Sequence, residues 1–177
     1  MADEWIELFN GTDLTGWRMR NPDREHRWVA HDGILDNTGT GVDIVTEAEF
    51  GDHELHIEYL VPEGSNSGIY LRGRYELQIL DSLGKEYNYP AENGALYNQK
   101  SPDVEASKPA GEWQTVDAKI VGMTLTVQLN GQTIHDNVTI KGPTGGQLFN
   151  DDNPTGPLML QGDHGPVQFR NIRVREL

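Results

Sequence analysis

From Ile69 to Ile79 the aliphatic residues keep to every second position on either side of Gly73. In S-N-S-G-I-Y-L-R-G-R-Y-E-L-Q-I-L-D (65–81), Ile69 and Leu71 share one side of an extended segment, and Leu77 and Ile79 share one side of the next. Extended backbone sends successive side chains to opposite faces, so this spacing predicts two strands joined at Gly73-Arg74 with their aliphatics in a core. The opposite face then carries Tyr70, Arg72, Glu76 and Gln78. A merely solvated face favours Lys, Glu, Thr and Ser. A phenol, a guanidinium, a carboxylate and an amide together can stack on a sugar ring and direct hydrogen bonds to its hydroxyls.

The same period recurs along the chain. H-E-L-H-I-E-Y-L-V (53–61) puts Leu55, Ile57 and Tyr59 on one face and Glu54, His56 and Glu58 on the other. Asp32-Gly33 and Asn130-Gly131 each sit between short apolar runs, the signature of a tight hairpin. Val42 to Thr46 reads as a strand, and T-E-A-E-F from Thr46 as one helical turn. Trp113 to Val121, Leu125 to Leu129, Leu158 to Gln161 and Val167 to Val174 complete the set, the last with a bulge near Asn171. Twenty Gly and nine Pro punctuate these runs, and no long amphipathic helix interrupts them. About a dozen strands without crossover helices require two antiparallel sheets packed face to face. The expected fold is therefore an all-β sandwich with a concave polar face, formed as one domain over 1–177.

Two stretches break the alternation. Residues 82–111 carry Tyr87, Tyr89 and Tyr97, too many aromatics for a disordered linker, and are expected to fold over the sheet as one wall of a cleft. Residues 141–156 hold N-D-D-N at 150–153, whose oxygens suit either calcium or ordinary turns.

The formal charge of -14 disfavours nucleic acid and anionic membrane as partners. The absence of Cys removes disulfide and thiolate chemistry. No apolar run reaches membrane-spanning length, and Met1-Ala2-Asp3-Glu4 has none of the features of an export signal. The expectation is a soluble protein with a carbohydrate ligand and no membrane insertion, its oligomeric state left open.

Successive landmarks of this chain resemble one family: F-N-G-T-D-L-T-G-W (9–17), F-G-D-H-E-L-H-I-E-Y (50–59), N-S-G-I-Y-L-R (66–72) and Y-E-L-Q-I-L-D (75–81), then G-A-L-Y (94–97), G-E-W-Q-T (111–115), L-Q-G-D-H-G (160–165) and V-Q-F-R-N-I-R-V (167–174). The pattern is similar to the 3-keto-disaccharide hydrolase domain, formerly DUF1080, and runs over nearly the whole chain in order. The resemblance implies a concanavalin A-like jelly roll and action on glycosides already oxidised at C3. It also implies a bacterial protein exported to the periplasm or beyond, whereas the residues alone leave the cytoplasm open. The E-[IL]-D-x-x-E string of classical β-glucanases on such a fold is absent, which disfavours ordinary retaining chemistry.

A C3 ketone acidifies the C2 proton, so the C1–O bond can break by elimination. That route needs a base at C2, help for the C3 oxygen and a proton for the departing oxygen. His164 and Glu58 are the candidates for base or acid, and Arg72, or a bound metal, the candidate partner of the enolate. Glu58 and Arg72 are expected to face each other across a hairpin. Tyr70, Glu76, Gln78, Tyr97 and Gln161 are the expected substrate contacts. If a divalent metal such as calcium or zinc takes part, His56, Glu58 and His164 are the expected ligands, or else the 150–153 loop. No organic cofactor is implied. A non-catalytic, lectin-like carbohydrate-binding module is the alternative that the same polar face would serve.

Overall fold

The structure, a computed structural model, describes residues 4–177; Met1 to Asp3, part of the stretch read as lacking an export signal, lie outside the described residues. Thirteen strands and no helix are found among those residues. In chain order they are β1 (Ile6–Glu7), β2 (Trp17–Met19), β3 (Trp28–His31), β4 (Ile34–Asn37), β5 (Ile44–Phe50), β6 (His53–Leu60) and β7 (Asn66–Leu71). There follow β8 (Tyr75–Leu80), β9 (Trp113–Val121), β10 (Thr124–Leu129), β11 (Gln132–Thr139), β12 (Gly156–Leu160) and β13 (Val167–Glu176). The stretch expected as a helical turn, Thr46 to Phe50, is the second half of β5. It pairs with β12 from Gly156↔Phe50 to Leu160↔Ile44, and that ladder overrides the local helix preference of T-E-A-E-F.

Two antiparallel sheets result. One has eight strands in the order β11-β10-β9-β6-β13-β4-β3, with β1 added on β13; the other has five in the order β2-β5-β12-β7-β8. Their facing sides make the core. Leu55, Ile57 and Tyr59 of β6 meet Ile69, Leu71, Leu77 and Ile79 of the β7–β8 hairpin, all buried in one apolar cluster. Each such side chain contributes roughly 1.5–3 kcal/mol on leaving water, which fixes which face of every strand points inward.

The turns follow their chemistry. Asp32-Gly33 and Asn130-Gly131 both have two consecutive positive φ values (49° and 78°, 52° and 80°), as a two-residue hairpin of matching twist demands. Asn171 has φ 51° at the bulge where the β13–β6 register shifts between Arg170 and Arg173.

One topological expectation fails. β6 and β7 are consecutive but do not pair: β6 lies between β9 and β13, and β7 between β12 and β8. Residues 61–65 carry the chain from one sheet to the other, so Glu58 and Arg72 cannot share a face.

Candidate active site

On the outer face of the five-stranded sheet lies a cleft of about 230 Å³, lined by Asn66, Tyr70, Glu76, Gln78, Tyr97, Gly145, Gly146, Gln161 and His164. Its floor is built by alternation. Asn66, Gly68 and Tyr70 of β7 and Glu76 and Gln78 of β8 are the residues whose neighbours, Ile69, Leu71, Leu77 and Ile79, fill the core. Gln161 follows β12, held by its backbone N–H to the Gly68 carbonyl at 3.0 Å.

The walls are the two stretches where alternation lapses. Leu96 bridges Leu77, and Tyr97 N donates to the Glu76 carbonyl at 3.0 Å, so residues 95–97 extend the sheet past β8 and set Tyr97 directly opposite Glu76. The other wall, Gly145-Gly146, crosses the tip of the hairpin. Thr144 Oγ1 accepts from Glu76 N, and Arg20 Nη1 and Nη2 donate to the Gly146 and Gln147 carbonyls at 2.7 and 2.8 Å. Gly146 has φ 70°, and a Cβ there would lie 2.7 Å from the Tyr70 hydroxyl.

Glu76 is the distinctive group. Only 4% of it is exposed, and its Oε2 accepts from the Tyr70 hydroxyl at 2.7 Å. Burial pushes its pKa up to about 7, while the Tyr70 donor and nearby His164 oppose the rise and Asp43 and Asp163 reinforce it. The Tyr70 hydroxyl, buried and beside that carboxylate, is pushed up as well and stays a donor. Gly68 makes room: a Cβ there would lie 2.4 Å from Glu76 Oε1.

Around this carboxyl, Asn66 Oδ1, Gln78 Oε1 and Gln161 Oε1 are buried without a hydrogen-bond partner. Leaving a buried polar atom unpaired costs about 1–3 kcal/mol, so three in one cleft describe a surface completed by a polar ligand.

His164 sits in the turn after β12, half exposed, with its Nδ1 bound to the Asp163 carboxylate and Nε2 as the ring nitrogen available to a ligand. That turn is pinned from both sheets. Asn37 of β4 donates to the Gly162 and Gly165 carbonyls, and Asp43 Oδ1 accepts from Gly162 N at 2.9 Å. Asp43, its pKa raised by burial, is held in turn by Arg20 at 3.1 Å.

The cleft thus brings together Tyr70, Glu76, Gln78, Tyr97, Gln161 and His164, and leaves out three expected residues. Glu58 lies on the outer face of the eight-stranded sheet, bound to Arg170 and Asn171, which outweigh its partial burial and lower its pKa. His56, two residues before it, bonds Asp117 through Nδ1 at 2.7 Å. A metal held jointly by His56, Glu58 and His164 is ruled out by this geometry, because the first two belong to the other sheet.

Arg72 is the third. It ends the hairpin in the left-handed region (φ 51°) with Gly73 (φ 64°), so the turn falls one residue earlier than the sequence suggests. Its buried guanidinium donates to the Gly51 carbonyl at 3.1 Å, the Gly122 carbonyl at 2.8 Å and Asp52 Oδ1 at 2.9 Å, tying three loops together. The 150–153 loop is also accounted for: Arg74 bonds the carboxylate and carbonyl of Asp151 and the carbonyl of Thr155, and Asn153 accepts from Thr155 N.

Residues 4–175 match the family described as the 3-keto-alpha-glucoside-1,2-lyase-like domain. The chain belongs to this family. Among its relatives is a protein of Bacteroides thetaiotaomicron named 3-keto-disaccharide hydrolase, 26% identical, the match covering 99% of this chain and 79% of that one. A crystal structure of a candidate glycosyl hydrolase from Parabacteroides distasonis is 32% identical, with a TM-score of 0.82 over 99% of this chain and 84% of that one. The Bacillus licheniformis β-glucanase, 11% identical with a TM-score of 0.56 over 98% of this chain and 97% of its own, shares the jelly-roll fold.

Proposed function

We propose that this protein cleaves glycosides oxidised at C3, with Glu76 as the proton donor to the departing oxygen and His164 as the base at C2. The observation that carries the reading is a buried carboxyl pushed up to about 7 inside a cleft where three amide oxygens lack partners. A binding module needs only groups that pair with hydroxyls, whereas a desolvated, half-protonated carboxyl can also pass a proton. The family membership, and the name of the Bacteroides relative, support this choice of substrate class.

In this reading His164 Nε2 takes the C2 proton, and the electron pair moves toward the C3 oxygen, where amide N–H groups of the cleft receive the enolate charge. The enolate collapses to the C1=C2 enone, the C1–O bond breaks, and Glu76 protonates the leaving oxygen. Water then adds its hydroxyl to C1. His164, whose half-exposed ring exchanges its proton with solvent while the enone stands, returns a proton to C2, and the water's other proton goes to the Glu76 carboxylate. The sum is glycoside plus water to 3-keto sugar plus alcohol, and both residues return to their starting states.

The test is incubation with a prepared 3-keto-disaccharide in D2O, with the unoxidised sugar as control. The reading expects a 3-keto sugar only from the oxidised substrate, with deuterium at C2. Release without deuterium would favour direct hydrolysis at C1, and binding to plain glycans without turnover would favour the module. We extend the reading to an exported enzyme on the strength of the family resemblance; fractionation of the native host tests that extension.

A further inference from the structure

At the β8 edge of the cleft two tyrosines make a corner. The ring of Tyr97, which lines the cleft, meets Tyr89 edge-on, with centroids 6.3 Å apart and planes at 82°. Tyr89 is 49% exposed, yet its loop is anchored. Asn98 N donates to the Pro90 carbonyl at 2.7 Å, Ala91 N donates to the Glu92 carboxylate at 2.9 Å, and Ala91 is buried. An aromatic ring held in place on an ordered loop but left half in water offers a preformed apolar face at little entropic cost.

The position of the corner assigns its occupant. Tyr97 lies opposite Glu76 across the sheet edge. The oxygen that receives Glu76's proton therefore departs beside Tyr97, and what it carries extends toward Tyr89. The separate hollow beside the Gly146 wall suits an apolar face poorly. There Arg20, Asn21, Arg24, Asp43 and Asp163 line a polar hollow, and Arg20 is already engaged with Asp43 and two carbonyls.

We infer that Tyr89 and Tyr97 form the leaving-group subsite, selective for a departing fragment that contains a ring whose apolar face stacks on Tyr89. A second sugar and a flat aromatic aglycone share that chemistry; a methyl aglycone lacks it. This inference rests on the glycoside-cleaving reading of the same cleft.

The experiment compares wild type, Tyr89→Ala and Tyr89→Trp on three C3-oxidised glucosides: a disaccharide, a phenyl glycoside and a methyl glycoside. In Tyr89→Ala the preference for a ring-bearing substrate over the methyl glycoside, read as a ratio of kcat/KM, should fall about tenfold, as expected for losing one aromatic contact face. Tyr89→Trp should keep the preference. A fall confined to the disaccharide or to the phenyl glycoside identifies which ring the corner serves. An unchanged ratio, whether all three rates drop together or none does, overturns the inference and reduces Tyr89 to a loop residue. Failure of wild type to cleave any of the three would instead defeat the proposed reaction. The corner is then judged by calorimetry with the unoxidised disaccharide and methyl glucoside: if Tyr89→Ala weakens neither selectively, the subsite falls too.

Discussion

Tyr70 and Glu76 stand opposite each other on β7 and β8, and the phenol donates its proton to the buried carboxylate at 2.7 Å. The bond favours the ionised form of Glu76, whereas burial favours the neutral one and prevails, leaving the group near 7. Tyr70→Phe removes the one side-chain donor to this carboxylate found among the described residues. A hydrogen bond to a charged group is worth about 1.5–3 kcal/mol, so the pKa should rise by about one unit or more. Since the proposed acid must carry its proton, kcat/KM falls as pH rises through the Glu76 pKa. The measurable result is an alkaline limb near 7 in wild type and about one unit or more higher in Tyr70→Phe.

The same burial makes Glu76 a liability for stability. Below the unfolded value near 4.5 the carboxyl is protonated in both states and nothing is lost. As pH rises toward 7 the unfolded chain ionises while the folded one holds its proton, so stability declines across that window and then levels off. At 1.36 kcal/mol per unit the decline is on the order of 3 kcal/mol. Glu76→Gln should escape it. Urea unfolding at pH 4.5 and pH 8 should show the variant gaining on wild type only at the higher pH, while turnover drops ~100-fold or more. A variant that is less stable than wild type at pH 8 would contradict the buried-acid account.

Arg72 and Glu58 should now behave as opposites. Arg72 is a buried guanidinium with three loop partners, and Arg72→Met strands two carbonyls and a carboxylate. The expected cost is about 3 kcal/mol or more, seen as a lower melting temperature, with the remaining folded protein turning over normally. Glu58→Gln touches a partly exposed pair worth ~1 kcal/mol or less and should leave both stability and turnover near wild type. Loss of kcat in folded Arg72→Met would restore it to the site.

These contrasts mark where the sequence could be read and where it could not. Alternation is a local property, so the faces of β6, β7 and β8 were legible, and with them Tyr70, Glu76 and Gln78. Which strands become neighbours is not local. Glu58 has the parity of an outward residue, but nothing in V-P-E-G-S (61–65) distinguishes a hairpin from a passage between sheets. Arg72 is a different case: alternation holds only to Leu71, where β7 ends, and Arg72 already lies in a left-handed turn. Asn66 was within reach, since it shares parity with Tyr70 on the same strand. Asp43's hold on Gly162 and Arg20's hold on the Gly146 carbonyl join residues 119 and 126 positions apart. No spacing announces those.

Gly68 gives the sharpest check on the site without altering any reacting group. Its φ is ordinary, so alanine is free to adopt the backbone there, and in a strand interior Ala should be slightly favoured over Gly. The added Cβ, however, would lie 2.4 Å from Glu76 Oε1 and 2.9 Å from its Cδ and Cγ. The carboxyl must swing away from Gly68 and loses its fit to the Tyr70 hydroxyl. Displacement of a reacting group by about 1 Å can cost ~100-fold in rate, and Gly68→Ala should show a loss of that order with its fold intact by circular dichroism. Because the loss runs through Glu76, adding Gly68→Ala to Glu76→Gln should cost little more than Glu76→Gln alone. Fully additive losses in that double variant would mean that Gly68 shapes the cleft by another route and that Glu76 is not the group it makes room for.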